Sequence, residues 1–159
     1  MKFNSALRNF VLVLFSTLLI SACSTAKKAS VDTVDDVYTG TDTVEYLAKG
    51  VPDRVFFATN KSKLTTRSRD TLRKQATWLR KNKDVTVTLE GHADERGTRE
   101  YNLALGERRA NAAKDYLMTY GVSGKRVTVI SYGKEKPVNP ASTPLAWSQN
   151  RRSVTVKAE

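Results

Sequence analysis

The residues of this chain most suited to chemistry lie between positions 90 and 114, in the run EGHADERGTREYNLALGERRANAAK. Asp94 lies 15 positions before Arg109 and 14 before Arg108, and a turn from a loop into a helix would bring the carboxylate close to a guanidinium. Such a pair suits a small ligand that carries both an amine and a carboxylate. Because the run contains no serine or cysteine nucleophile, it predicts a binding site before a catalytic one.

The helical spacing after the loop distinguishes the two arginines. At 100° per residue, small and apolar side chains share one face, which we expect to be buried: Leu103, Gly106, Ala110, Ala113 and Leu117. Asn102, Leu105 and Arg109 form a stripe at the edge of this face. Arg108 is rotated about 100° from Arg109 and faces solvent. Arg109 is therefore predicted to meet the loop, where its planar fork suits a carboxylate.

An aspartate and an arginine at this spacing are equally compatible with a local ion pair that only ties a loop to a helix. From the residues alone both interpretations stay open. Gly91 and Gly97 are expected to allow backbone turns in the loop. His92 is the only histidine, and one histidine cannot build a usual zinc site, so we expect it to be structural or to lie beside the ligand.

Periodicity in the rest of the chain predicts the elements that position this loop. Short apolar or alternating runs predict strands at residues 54–57, 85–90, 126–131 and 153–157. Helical spacing predicts one helix from Thr65 or Thr66 to about residue 81 and a second from about residue 99 to 120, stopped by Gly121. The order β-α-β-α-β-β predicts an α/β two-layer sandwich, with two main helices packed on one face of a mixed four-stranded sheet.

The segment before the last strand is predicted to be a long loop. Pro137, Pro140 and Pro144 exclude a long regular element there. We expect Trp147, which is followed by polar residues, to anchor this loop onto the domain.

The N-terminus has the pattern of an export signal. Lys2 and Arg8 precede an apolar run of 11 residues at positions 10–20, which is too short to span a bilayer as a helix. The run ends in Ile-Ser-Ala-Cys, which resembles a bacterial lipobox and implies that Cys23, the only cysteine, is lipidated. Ser24 after it implies the outer membrane. The alternative is an ordinary signal peptide cut near Ala22, with Cys23 incidental.

These features divide the chain into three parts. We expect a lipoprotein signal peptide at residues 1–22, a lipidated N-terminus and flexible tether at 23–50, and a folded domain at 51–159. The tether is rich in Ser, Thr, Asp and Gly, and we expect a helical turn near residues 44–48. A lipid anchor would hold the mature protein to the membrane without inserting it through the bilayer.

The charge of the chain is strongly positive, at +11. Removing Lys2 and Arg8 with the signal peptide leaves 25 basic and 16 acidic residues, or +9. Such a charge would suit nucleic acid, but no strand carries the aromatic residues of a single-strand binder, and an exported protein does not meet the genome. We therefore expect no nucleic-acid partner, and assign the charge to a polyanionic cell wall and an anionic membrane surface.

The run GHADERGTREYNLALGERRANA resembles the signature of OmpA-like peptidoglycan-binding domains, in particular that of the peptidoglycan-associated lipoproteins. The pattern NxxLxxxRA of this family is present as Asn102, Leu105, Arg109 and Ala110. Further similar segments are VFF at residues 55–57, SYGKEKP at 131–137 and NRR at 150–152. The resemblance covers about residues 53–157.

The resemblance implies a ligand, the diaminopimelate of the peptidoglycan stem peptide. By it, Asp94 engages the amine and Arg109 the carboxylate of diaminopimelate. The rest of the implied site comprises Asn102, Thr98, the backbone around Ala93, Leu105 beneath the ligand, and Thr59 and Asn60 from the loop after the first strand. The resemblance also implies TolB and other Tol–Pal components as partners, and no cofactor, metal or catalytic residue.

Two positions depart from the family pattern, because Ala58 replaces a common aspartate and Arg99 replaces a usual proline. Ala58 bears on the loop after the first strand, and Arg99 bears on the entry to the second helix. Two other classes of function remain as alternatives. A wall hydrolase would need a nucleophile or metal cluster, and an envelope protein-interaction module would keep the fold without binding the wall.

Overall fold

The computed structural model describes residues 36–38 and 46–158. The predicted signal peptide, the lipidation site Cys23 and most of the expected tether lie outside these residues. Within the described part, no helix has both the length and the apolar character that a membrane crossing requires.

Within residues 46–158, six strands form two sheets. They are β1 (Tyr46–Ala48), β2 (Val51–Pro52), β3 (Arg54–Phe56), β4 (Val87–His92), β5 (Val127–Gly133) and β6 (Arg152–Lys157). The main sheet has the order β3-β6-β4-β5, in which β4 and β5 are parallel and the other pairs are antiparallel. This confirms the predicted mixed four-stranded sheet. Strands β1 and β2 pair separately as an antiparallel hairpin.

Three α-helices of the described part follow threonine N-caps. They are α1 (Thr66–Lys81), α2 (Arg99–Thr119) and α3 (Pro144–Asn150). Each cap hydroxyl accepts a hydrogen bond from an amide of the first turn, which satisfies one of the free donors there. The two long helices match their predicted bounds within about two residues. The short α3 was not predicted, and Pro144 begins it because a proline suits the first helical position.

The core lies between the two long helices and one face of the sheet. Its fully buried apolar side chains include Phe57, Leu72, Leu79, Leu89, Ala110 and Leu117. Helix α2 packs on β4 and β5, and α1 packs on β2, β3 and α2. This confirms the predicted two-layer arrangement. Each buried leucine contributes about 1.5–3 kcal/mol relative to an exposed one.

The folded domain begins earlier than residue 51. Leu47 is 5% exposed and belongs to the hydrophobic core, so the β1–β2 hairpin is part of the domain and not of a tether. The expected helical turn near residues 44–48 is wrong for its described part, because Tyr46–Ala48 is a strand. Three residues are too few for an alternation of apolar and polar side chains to distinguish a strand from a turn in the sequence.

Strand β4 and helix α2 approach each other backbone to backbone. A Cβ atom added at Gly91 would lie 1.9 Å from the carbonyl oxygen of Gly106. Gly91 is thus needed for close packing within a strand, and the expectation that it forms a turn is wrong. Gly97 has a φ of 91°, which confirms a turn at that position. The close contact brings the loop after β4 directly onto the face of α2.

Candidate functional site

Asp94 lies in the loop after β4 and is held there by an arginine of the same loop. The Arg96 side chain donates from Nε to Oδ1 at 3.0 Å and from Nη2 to Oδ2 at 2.8 Å. The Arg96 amide adds a bond to Oδ1 at 3.1 Å. The Asp94 side chain is 9% exposed, so its carboxylate has a fixed position at the edge of the protein.

Arg151 approaches the same carboxylate from the other end of the chain. It is fully buried, directly before β6, and its Nη1 lies 3.3 Å from Oδ2 of Asp94. Its Nε donates to the carbonyl of Phe57 at 3.0 Å. From the sequence, Arg151 was recognised only as part of the NRR segment, and no role was predicted for it. The signal was a charged residue directly before a strand that runs beside β4 in the sheet.

Arg109 is fully buried and ties two loops together. Its Nε donates to the carbonyl of Lys61 at 2.9 Å, its Nη1 to that of His92 at 2.8 Å, and its Nη2 to that of Ala58 at 3.1 Å. The guanidinium carbon also lies 5.4 Å from the centre of the Phe57 ring. A buried guanidinium needs acceptors, and the loop after β3 and the last residue of β4 supply them.

A direct ion pair between Asp94 and Arg109, one of the two interpretations that the sequence left open, is not formed in the described residues. Within residues 46–158, Asp94 pairs with Arg96 and Arg151, whereas Arg109 bonds backbone carbonyls. Helix geometry nevertheless places the two side chains in one cluster, since Arg109 bonds the carbonyl of His92, two residues before Asp94. Arg108 is exposed, which confirms the predicted distinction between the two arginines.

Charge and burial act on the pKa values of this cluster. Burial, followed by the nearby Arg151 charge, lowers the pKa of Arg109 to about 10, so the group stays charged at neutral pH. Burial alone would raise the pKa of Asp94. The hydrogen bonds from the Arg96 side chain and amide, the charge of Arg96 and a hydrogen bond from Arg151 together hold the pKa of Asp94 below its ordinary value of 3.8. The site thus presents one ionised carboxylate among three guanidinium groups.

Asn102 and Thr98 position the loop. The buried Asn102 amide nitrogen donates to the carbonyl of Arg96 at 2.9 Å. The Thr98 hydroxyl accepts from the amide of Tyr101 at 3.2 Å and so caps α2. Both predicted residues lie beside Asp94, and both already hold the backbone that carries it.

Ala93 and Leu105 are buried beneath the loop. The Ala93 amide donates to the carbonyl of Gly133 at 2.7 Å, which commits that donor to the neighbouring strand. Leu105 is 3% exposed, on the helix face that meets β4 and β5. These two predicted residues support the site from below.

The loop after β3 supplies Thr59, but the structure does not bring the Asn60 side chain into the cluster. The Thr59 hydroxyl accepts from Nη2 of Arg96 at 3.3 Å. Asn60 is exposed and has a φ of 55°, a left-handed conformation that asparagine tolerates better than most residues. Ala58 joins the cluster through its carbonyl, which bonds Arg109 whatever its side chain is.

Trp147 forms a wall of the site. Its Nε1 donates to Glu95 at 2.8 Å, and the Arg96 guanidinium lies over its ring at 4.3 Å. This confirms that Trp147 anchors the long loop onto the domain. Trp147 belongs to helix α3, so this helix fixes one side of the loop that contains Asp94.

His92 is buried away from this cluster of charges. Its Nε2 lies 3.5 Å from Glu90, and its ring is 5.5 Å from that of Tyr132. Burial, followed by the charges of Arg152, Lys136 and Arg54, lowers the pKa of His92 to about 3. The imidazole is therefore neutral at physiological pH. In the described ranges, no three side chains of the metal-binding types come together.

Comparisons with known proteins give the relatives of this chain. A sequence profile of the OmpA family matches residues 56–151. A protein of Rhizobium meliloti named peptidoglycan-associated lipoprotein is 57% identical over 106 residues, which cover 67% of this chain and 60% of that protein. The protein of that name from Mesorhizobium japonicum is 42% identical over 153 residues, covering 93% of this chain and 91% of its own length.

Solved structures show the same fold. The crystal structure of the peptidoglycan-associated lipoprotein from Burkholderia pseudomallei superposes with a TM-score of 0.65 at 35% identity, covering 67% of this chain and 90% of that one. The C-terminal domain of Helicobacter pylori MotB shares the fold at 20% identity, with a TM-score of 0.63, covering 67% and 84% of the two chains. With its profile match, its relatives and its sheet topology in agreement, the chain belongs to the OmpA family.

Proposed function

We propose that this chain is an outer-membrane lipoprotein that binds peptidoglycan non-covalently through the diaminopimelate of the stem peptide. In this way it anchors the outer membrane to the cell wall. The observation that carries the proposal is the Asp94 carboxylate, fixed at the protein edge among Arg96, Arg109 and Arg151. Like its relatives, the chain is a binding protein and not an enzyme.

The arrangement of charges matches the end of the diaminopimelate side chain. That end carries an amine and a carboxylate on one carbon atom, so it needs an anion and a cation close together. Asp94 is ionised at neutral pH and suits the amine. The guanidinium groups beside it suit the carboxylate. Asn102, Thr98, Ala93 and Leu105 keep this arrangement rigid, and rigidity lowers the cost of ordering the site on binding.

The rest of the molecule supports attachment between two surfaces. The lipobox pattern predicts a lipid at Cys23, and the positive charge of the domain favours the polyanionic wall. We further propose TolB and other Tol–Pal components as partners. An envelope protein-interaction module of the same fold, without wall binding, is the alternative that the first experiment must separate.

The test is a calorimetric titration of the mature chain without lipid, residues 24–159, with a stem tripeptide that ends in diaminopimelate. We expect Asp94→Asn to weaken binding at least about tenfold, because a hydrogen bond to a charged group contributes about 1.5–3 kcal/mol. Glu100→Gln is the matched control, because it removes the same charge from an exposed position in the first turn of α2.

A second ligand sharpens this experiment. The stem peptide with lysine in place of diaminopimelate lacks only the carboxylate at the end of that side chain, and we expect it to bind much more weakly. Equal binding of both peptides, or an unchanged affinity of Asp94→Asn, would contradict the proposed site. No binding of either peptide by the wild type would favour the protein-interaction module.

A further inference from the structure

A second carboxylate reaches the site from the N-terminal side of the domain. The amide of Thr59 donates to Oδ2 of Asp36 at 2.8 Å, and the Thr59 hydroxyl donates to the same oxygen. Nη2 of Arg151 donates to Oδ1 at 2.5 Å and also to the main-chain oxygen of Asp36. Asp36 lies 23 residues before Thr59, in the part of the chain where the sequence predicted only a tether.

An aromatic contact holds this segment in place. The ring of Tyr38 lies 4.8 Å from that of Phe56 at an interplanar angle of 80°, an edge-to-face geometry. Tyr38 is 9% exposed. The segment thus has an apolar end on β3 and a charged end at the site.

The groups that hold Asp36 make up a receptor for a carboxylate. A main-chain amide, a hydroxyl and a buried guanidinium converge on one carboxylate, which is the set of donors that a carboxylate prefers. Burial would raise the pKa of Asp36, but the two Thr59 bonds and the Arg151 charge hold it below 3.8. Without Asp36, three guanidinium groups would face the single carboxylate of Asp94. The receptor therefore favours an anion whether or not that anion belongs to this chain.

We propose that Thr59 and Arg151 form a carboxylate subsite next to Asp94, and that Asp36 occupies it as an internal competitor until a ligand carboxylate displaces it. The inference rests on the proposed function only for the identity of that ligand. The Asp36 side chain is 47% exposed, and an ion pair that is half open to solvent is weak, so a ligand carboxylate can displace Asp36.

Covalent attachment makes a weak occupant effective. Because Asp36 is joined to the domain by the ten residues up to Tyr46, it competes at an effective concentration in the millimolar range. The apparent dissociation constant of a ligand rises in proportion to the fraction of molecules in which Asp36 is docked. Isolated stem peptides would bind poorly, whereas a wall crowded with them would displace Asp36.

The sign of the effect of Asp36→Asn on affinity tests the proposal. We expect the variant to bind the diaminopimelate tripeptide about threefold to tenfold more tightly than the wild type, because the competitor is weakened. Asp115→Asn removes the same charge from an exposed position of α2 and should leave the affinity unchanged. Weaker binding by Asp36→Asn would make Asp36 part of the ligand contact, and an unchanged affinity would mean that it does not compete. Either result overturns the proposal.

A second measurement judges the subsite without the wall ligand. In amide NMR spectra of residues 24–159, Asp36→Asn should shift the Thr59 amide, and added acetate should then shift it further in the variant but little in the wild type. If no tripeptide binds while Thr59 responds in this way, the proposed function fails and the carboxylate subsite stands. A Thr59 amide that ignores both the substitution and acetate would overturn the subsite.

Discussion

Arg109 stabilises the site by joining the loop after β3 to the end of strand β4. Arg109→Ala would leave the buried carbonyl of His92 and the part-buried carbonyls of Ala58 and Lys61 without this donor, and a buried unsatisfied group costs about 1–3 kcal/mol. We expect a loss of about 3 kcal/mol or more in the free energy of unfolding, measured by chemical denaturation. Arg108→Ala, at an exposed position, should change it by less than about 0.5 kcal/mol. Equal effects of the two substitutions would contradict the burial of Arg109.

This role changes how binding data on Arg109 should be interpreted. A loss of wall binding in Arg109→Ala would follow from loop collapse as readily as from a lost ligand contact. Arg109→Lys keeps the charge and part of the bonding, so it separates the two effects if it folds but binds weakly.

His92 makes stability depend on pH. Its pKa is about 3 in the folded protein and 6.5 when unperturbed, so the unfolded chain takes up a proton first as the pH falls. The stabilisation is present above pH 6.5 and is lost toward pH 3, at about 1.4 kcal/mol per pH unit over the lower part of that range. His92→Gln should flatten this slope in denaturation series at pH 4, 5 and 6. Identical slopes for wild type and variant would mean that His92 protonates within the fold.

At the scale of residues, sequence spacing identified part of the cluster. Asp94 and Arg109 follow from a loop and a helix that are adjacent in the chain, so their proximity was predictable. The partners of Arg109 were not, because they are carbonyls of a distant loop. Arg151 and Asp36 escaped for the same reason, since their contacts with Asp94 and Thr59 span 57 and 23 residues.

At the scale of elements, the contact of β4 with α2 sets the distance between the Asp94 loop and the helix. Gly91→Ala would place a Cβ 1.9 Å from a backbone oxygen of Gly106, so the strand and helix must separate. We expect a loss of about 3 kcal/mol, near the upper range for overpacking, and a fall of roughly 10 °C in Tm. Weaker binding of the stem peptide should accompany it, since the loop moves with the strand.

Gly124→Ala is the control for this prediction. A Cβ there would lie 3.1 Å from the flexible side chain of Met118, which can move aside. A Gly91→Ala variant as stable as Gly124→Ala would show that β4 and α2 do not need their close approach.

The periodicity of hydrophobic residues predicted the long elements well and the short ones poorly. Helices α1 and α2 and the four strands of the main sheet are long enough for their spacing to be visible. Strands β1 and β2 and helix α3 have three, two and seven residues, and tertiary contacts decide their structure. Trp147 was the one clear sign that the segment carrying α3 was fixed to the domain.

At the scale of the whole molecule, the docked segment sets how far the domain can stand from its anchor. Asp36 lies 13 positions after Cys23, and Tyr46 lies 23 positions after it. At a maximum of about 3.5 Å per residue, these spans reach about 45 Å and about 80 Å. With the lipid proposed at Cys23, release of Asp36 from the subsite and of Tyr38 from Phe56 would therefore add about 35 Å to the distance that the protein can bridge.

With the lipid anchor and the docked Asp36 as proposed, the same geometry would give the protein a response to mechanical load. When the outer membrane is drawn away from the wall, tension in the chain acts on Asp36 before it acts on the domain. This tension would separate Asp36 from Thr59 and Arg151. The carboxylate subsite would then be open to the ligand when the load on the attachment is greatest. A domain built in this way would hold the wall more tightly under strain than at rest.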